Sequence, residues 1–166
     1  MIRVGHGYDV HQLDEHLPFT LGGIVIPHTK GGVGHSDADV LLHAICDALL
    51  GALNLNDIGY HFPDVDNKYK GIDSKILLKE TYQKVKDKGY VIGNIDSTIC
   101  LQKPKIAPFI KDMKAAISQT LQISEDKISI KATTTEKLGF VGREEGVEAH
   151  AVVLVMQKDF AESKKN

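Results

Sequence analysis

An α+β fold, with helices on one face of a mixed β-sheet, follows from three features of the sequence. Segments of strand character are interleaved with segments of helical character. The last strand, Val147 to Met156, is long and two-faced, with Val147, Ala149, Ala151, Val153 and Val155 on one side. Between them, Ile106, Phe109, Ile110, Met113, Ile117 and Leu121 recur with the 3.6-residue period of an amphipathic helix. No spare helix is left to cover the second sheet face, so that face must be buried by self-association.

The elements read in order as follows. Residues 2 to 8 form a short strand ending near Asp9. Phe19 to Pro27 (FTLGGIVIP) is a small hairpin turning at Gly22-Gly23. After the glycine-rich KGGVGHSD, Ser36 followed by Asp39 three residues later is a capping-box pattern opening a helix to about Leu53, apolar nearly all round and so buried on several sides. Asn54 to Lys70, polar and aromatic, is an irregular loop. A second helix covers about Ser74 to Lys88 and stops at Gly89, Tyr90 to Leu101 is a long strand, and Pro104 begins the third helix. Ile128 to Ala132 is a further strand.

With 166 residues, 42% of them hydrophobic and 25% charged, the chain suits one globular domain, spanning 1–158 and followed by a polar tail at 159–166. A formal net charge of -2 implies no attraction to nucleic acid or to an anionic membrane. The longest apolar stretch, Val40 to Leu55, is interrupted by His43, Asp47 and Asn54 and is too short to span a bilayer. MIRVGHGYDVH enters structured sequence with no cleavable apolar segment. Cys46 and Cys100 lie in apolar runs without CxxC pairing, as buried thiols of a reducing compartment do. A soluble cytoplasmic protein is expected; a plastid-type organellar protein whose transit peptide had been removed would read the same.

Four stretches carry potential chemistry. In GHGYDVH, Gly5 and Gly7 imitate a dinucleotide fingerprint, but Val10 stands where the third glycine belongs and no helix follows. Asp9 and His11, two apart on extended chain, point the same way and suit a shared ion, although a turn aspartate beside a surface histidine looks identical. In SDADVLLHAICDALLGA, Asp39, His43 and Asp47 form an ionisable stripe at i, i+4 and i+8. Such groups are costly to bury unless paired or metal-bound, so His43 is either a third ligand, oriented by a neighbouring carboxylate, or a hydrogen-bonded core histidine. In IKATTTEKLGFVGREEG, threonine hydroxyls and backbone amides at a strand end suit phosphate oxygens, Glu136 suits a hard cation and Arg143 offers a fork, where the plainer reading is a polar loop. LQKPKIAP is a strand-to-helix turn whose backbone either reads a base edge or simply connects. Phe140 either packs in the core or lines a ligand cavity.

Taken together, GHGYDVH, HSDADVLLHAICDALLGA, DIGYHFPD, KPKIAP and KATTTEKLGFVGREEG, in this order and spacing, closely resemble the 2-C-methyl-D-erythritol 2,4-cyclodiphosphate synthases of the non-mevalonate isoprenoid pathway. The resemblance runs through essentially the whole chain. It implies a homotrimer of ferredoxin-like subunits, each a mixed four-stranded sheet with helices on one face plus a small hairpin. The sheets would face one another around the threefold axis, with active sites at the subunit interfaces. It implies one Zn2+ per subunit held by Asp9, His11 and His43, and Mg2+ or Mn2+ held with the help of Glu136. His35 and Thr134 would stabilise the transition state, with Ser36 and Thr133 positioning phosphates. Asp57, Gly59 and Asp64 would hold the methylerythritol hydroxyls, and Ile58 and Phe62 would also contact the substrate. The backbone around Leu101, Lys105, Ile106 and Ala107 would bind cytosine. Phe140, Arg143 and Glu145 match positions lining a central channel, where some members bind an isoprenoid diphosphate. Tyr60 and His61 fall at variable positions and receive no role. Some relatives are fused to a cytidylyltransferase, for which 166 residues leave no room, so a monofunctional protein is expected. Two other functions suit the same residues: a zinc phosphoesterase acting on nucleotide diphosphates with an activated water, and a non-catalytic trimeric binder of metal or isoprenoid.

Overall fold

The structure is a computed structural model that describes residues 1–159; the predicted polar tail lies outside the described residues from 160 onward. Its central sheet is mixed, as expected, but has five strands rather than four. The strands are β1 (Ile2–Glu15), β4 (Lys30–Gly32), β5 (Tyr90–Cys100), β6 (Ile128–Thr133) and β7 (Gly146–Gln157), ordered β4-β1-β7-β5-β6. Only β5 and β6 run parallel, joined by a crossover through α4 (Ile110–Leu121). The extra strand has a simple cause. Beyond Asp9, β1 does not stop but stays paired with β7 through Gln12 and then with β4 from Leu13 to Glu15, so it is 14 residues long. Its polar second half carries no apolar alternation to announce it. The separate hairpin β2 (Phe19–Leu21) and β3 (Ile24–Ile26) turns at Gly22-Gly23, both at positive φ, as the sequence predicts.

Helix α1 (Val40–Ala52) lies on the sheet against β1 and β7, with α3 (Ser74–Asp87) beside it and α4 over β6. The core between them includes Leu41, Ile45, Leu49, Leu78, Ile95, Ile99, Ala151 and Val153. Gly5 and Gly7 permit this closeness: a Cβ at either would stand 1.9 Å from a carbonyl oxygen of α1, Ala48 and Ala44 respectively. The glycine spacing that mimics a dinucleotide fingerprint is therefore a seat for a helix. At Gly93 a bulge shifts the pairing of β5 with β7, so the buried positions run Ile92, Ile95, Ser97, Ile99 instead of alternating strictly.

The capping-box reading of Ser36 is overturned. The N-cap of α1 is Asp39, whose carboxylate accepts from Leu42 N and also from the amides of Gly22 and Gly23, tying the helix start to the hairpin turn. Helix α3 is likewise capped by Asp73. The third helix begins later than Pro104: Lys103-Pro104 is a cis turn, a 3-10 turn covers Ala107–Phe109, and α4 starts at Ile110. The predicted loop at 54–70 contains a one-turn helix α2 (Ile58–His61) and a 3-10 turn at Asn67–Tyr69. A last short helix, α5 (Gly139–Gly142), precedes β7.

The second sheet face is open, as anticipated. Val4 is 63% and Val152 43% exposed in the isolated chain. Cys46 is buried as predicted, whereas Cys100 is only half-buried, because it ends β5 on the open face.

Candidate active site

Asp9 and His11 on β1 and His43 on α1 converge where the Gly5-Gly7 seat brings the two elements together. Asp9 Oδ2 lies 3.0 Å from His11 Nε2 and 3.0 Å from His43 Nδ1, and the two imidazole nitrogens are 3.1 Å apart. All three side chains are at most about a quarter exposed.

Neighbouring groups fix which nitrogen each histidine presents. His11 Nδ1 donates to the Val33 carbonyl at 3.0 Å, leaving the Nε2 lone pair turned to Asp9. Ser74 Oγ donates to Asp37 Oδ1, so it accepts from His43 Nε2 at 2.9 Å; Ser36 Oγ lies 3.1 Å from the same nitrogen. The Nδ1 lone pair of His43 is thus aimed at the centre of the triad. A carboxylate oxygen and two lone pairs crowded within 3.1 Å require a positive charge among them. Burial opposes ionisation of Asp9, but the hydrogen bonds and charges of His11 and His43 outweigh it and hold its carboxyl down to about 2. Burial likewise works against charge on His11, and Asp9 overcomes it, so the imidazole is raised above its ordinary 6.5. A proton is one way to meet that requirement, and a metal ion is the other. The spacing suits an ion: neighbouring corners of a tetrahedron with zinc-like arms of about 2.05 Å lie about 3.3 Å apart. Asp9, His11 and His43 are one of two metal-competent groups among the described residues.

The ionisable stripe of α1 therefore divides into three roles. His43 belongs to the triad, whereas Asp39 caps the helix and Asp47 Oδ1 accepts from Ile58 N at 2.7 Å, anchoring α2. Neither carboxylate of the stripe orients His43, contrary to expectation. That task falls to Ser74 and Ser36 with Asp37 behind them. Ser74 and Asp37 were not among the predicted site residues: Ser74 reads as a helix start, and nothing local links it to a histidine 31 positions earlier.

A cleft of about 390 Å3 opens over the triad. Of the predicted residues, Asp9, His11, His35, Ser36, His43, Ile58, Gly59, Phe62 and Asp64 line it, joined by Tyr69, Ile72 and Leu77, which the sequence did not single out. Asp57 stands back from it as the N-cap of α2, accepting from Tyr60 N at 2.8 Å. His35 Nε2 lies 3.3 Å from the Asp66 carbonyl, and the His35 carbonyl accepts from Gly71 N at 2.7 Å, so His35 is tied to the last part of the 54–70 segment and to the glycine that follows it.

Leu101, Lys105, Ile106, Ala107, Thr133 and Thr134 line a different pocket, of about 180 Å3, at the C-terminal ends of β5 and β6. The side chains of Leu101 and Ile106 are buried, so what they offer a ligand is backbone. Beside it, Thr134 Oγ1 donates to Glu136 Oε1 at 3.4 Å, and Glu136 is exposed in a left-handed conformation at φ 53°. Arg143 forks onto Glu145, Nε to Oε1 at 3.0 Å and Nη2 to Oε2 at 2.9 Å, with the half-exposed Phe140 nearby on α5. One chain thus brings together the residues predicted for zinc and, Asp57 apart, those predicted for the sugar, and separately those predicted for cytosine, for the second cation and for threonine-held phosphate; it does not join the two groups.

Residues 2–156 match the model of the YgbB family. The chain belongs to that family. A 2-C-methyl-D-erythritol 2,4-cyclodiphosphate synthase from Bacteroides fragilis is 61% identical over 154 residues, covering 93% of this chain and 97% of that one. Among solved structures, the bifunctional IspDF from Campylobacter jejuni superposes with a TM-score of 0.93 at 44% identity, covering 97% of this chain. This chain spans only 44% of the length of that protein. A CDP complex of IspF from Plasmodium falciparum superposes with a TM-score of 0.83 at 39% identity over 95% of this chain and 97% of that one. The structure of this YgbB-family chain is accordingly that of the synthases, and among its described residues no helix is long and apolar enough to cross a membrane.

Proposed function

We propose that this chain converts 4-diphosphocytidyl-2-C-methyl-D-erythritol 2-phosphate into 2-C-methyl-D-erythritol 2,4-cyclodiphosphate and CMP, as a phosphorus-oxygen lyase of isoprenoid precursor synthesis in the cytoplasm. The reading is carried by the Asp9-His11-His43 triad in a chain 61% identical to a synthase of that name. An oxygen of the substrate's 2-phosphate attacks the β-phosphorus, a new P–O–P link closes the ring, and the bond from the β-phosphorus to the oxygen bridging the α-phosphate breaks. CMP leaves with that oxygen. Nucleophile and electrophile belong to one molecule, so the protein's task is to fold the substrate and balance its charge. No protein thiol is needed, and Cys46 is unsuited to serve: burial pushes it up to about 12.

Asp9, His11 and His43 would hold Zn2+, one per subunit, which supplies Lewis-acid polarisation of the phosphoryl group under attack. Glu136 would help hold Mg2+ or Mn2+, which neutralises the diphosphate. Ser36 and Thr133 position the phosphates, and His35 and Thr134 donate hydrogen bonds to charge developing in the transition state. Ile58, Gly59, Phe62, Asp64 and, through its place at the start of α2, Asp57 orient the methylerythritol. The backbone of Leu101, Lys105, Ile106 and Ala107 receives cytosine. Because the two pockets are separate within one chain, we assign the working site to the junction of two subunits in a homotrimer of ferredoxin-like domains, residues 1–158, whose open sheet faces turn inward. Phe140, Arg143 and Glu145 would line its channel, where an isoprenoid diphosphate is the expected guest.

Turnover of the cytidine-linked substrate by purified, metal-replete protein tests the reading. CMP and a cyclic product are expected, with loss of activity on chelation and recovery on adding zinc. Oxygen-18 entering the product from labelled water would overturn it in favour of a phosphoesterase. Normal turnover by a folded His43→Ala variant would remove the triad from the mechanism.

A further inference from the structure

The open sheet face carries a second group of ligating atoms. Cys100, the last residue of β5, sits directly opposite Glu148 of β7, and His150 follows two positions along the same strand. All three side chains therefore stand on one face, the one away from α1. The Cys100 Sγ, a Glu148 carboxylate oxygen and a His150 ring nitrogen all lie within 4.8 Å of one another. Tyr8, opposite His150 on β1, donates its hydroxyl to Glu148 Oε2 at 3.0 Å and packs its ring on His150 with centroids 4.9 Å apart. The cluster is held from three strands of a rigid sheet, not from loops. Asp9 points through the opposite face, towards α1, so the two groups share no residue.

We propose that Cys100, Glu148 and His150 form a second metal site, for a thiophilic divalent cation of the zinc class. The donor set argues for that class: one sulfur, one nitrogen and one oxygen suit a borderline-soft ion, whereas Mg2+ and Ca2+ take oxygen ligands. On binding, Cys100 gives up its proton to solvent and the thiolate and carboxylate together neutralise the cation. The Tyr8 hydroxyl fixes the carboxylate as outer groups of metal sites do. Three protein ligands leave the fourth corner to water. The assignment is independent of the proposed reaction, because it uses none of its residues.

Titration of metal-free full-length protein with Co2+, followed by absorption spectroscopy and by metal content of the gel-filtered protein, tests it. The Asp9 triad has no sulfur, and Cys46 is fully buried, so a thiolate-to-cobalt charge-transfer band reports Cys100 alone. Two equivalents are expected per chain, one of them carrying the band. Cys100→Ser should lose the band and one equivalent and keep the other, with circular dichroism unchanged. His150→Ala and Glu148→Gln should each weaken cobalt at this site at least about tenfold. His43→Ala should lose the equivalent that lacks the charge-transfer band and keep the band, so failure of the triad and failure of the second site are told apart. Absence of any charge-transfer band at saturating Co2+, or its survival in Cys100→Ser, would overturn the proposal.

Discussion

Gly7→Ala would show whether the metal triad depends on how closely α1 rests on β1. A Cβ at Gly7 stands 1.9 Å from the Ala44 carbonyl oxygen and 2.6 Å from Ala48 N, both backbone atoms that cannot rotate aside. Ordinary contact begins at 3.4 Å, so α1 must withdraw by about 1.5 Å or β1 must bend by as much. Overpacking of this kind costs about 1–3 kcal/mol of stability. The damage also reaches the site, because Ala44 follows His43 and Gly7 lies two residues before Asp9. A withdrawal of that size would stretch the 3.0 Å between His43 Nδ1 and Asp9 Oδ2 well beyond the roughly 3.3 Å that one ion spans. Urea unfolding in chelator should place Gly7→Ala below the parent by that energy, and zinc competition on the folded variant should show affinity reduced at least about tenfold. Gly5→Ala meets Ala48 O at the same 1.9 Å, one turn further from His43, and should cost similar stability with a smaller loss of zinc. A Gly7→Ala protein with the parent's midpoint and full zinc affinity would refute the idea that this contact sets the triad.

Other consequences can be measured alongside. Gly51, exposed near the end of α1, would gain a Cβ whose nearest neighbour is 3.9 Å away, so Gly51→Ala should stabilise the protein by about 0.5–1 kcal/mol in the same unfolding assay. Ser74→Ala removes the hydroxyl that fixes the tautomer of His43; zinc affinity should fall about tenfold or more, with Ser36 as the remaining partner and the fold retained by circular dichroism. Burial raises Asp47 above its ordinary 3.8, more than the Ile58 amide lowers it, so its ionisation costs the folded state stability as pH rises from that value through the raised one. Asp47→Asn, which keeps an oxygen for Ile58 N, should therefore match the parent in stability near pH 3 and exceed it at pH 7.

What the sequence revealed, and what it hid, follows from the range of each interaction. The final strand, the α1 core and the Gly22-Gly23 hairpin were legible because their signals are local: period two, period 3.6, and a turn that needs positive φ. The length of β1 was not, since its pairing beyond Asp9 is decided by Gly146 to Glu148 and by β4, and polar residues at a strand end carry no alternation. The same distinction separates the caps. Ser36 and Asp39 satisfy a capping-box pattern, but the two amides of the distant Gly22-Gly23 turn also need an acceptor at the helix start, and the Asp39 carboxylate serves them and Leu42 N together. Ser36 is thereby released to His43.

The triad shows why a motif can be right about chemistry and silent about cause. Asp9, His11 and His43 are identifiable as ligating residue types, yet what makes them a site is absent from their own motif positions. The two glycines upstream let a helix approach to backbone contact, and Val33, Ser74 and Asp37 decide which nitrogen each imidazole shows. Those groups are contributed by different segments and meet only after the sheet has formed. A substitution at Gly7 or Ser74 should accordingly impair metal binding while leaving every ligand in place, and a metal site grafted from the three ligands alone onto another strand and helix should bind weakly.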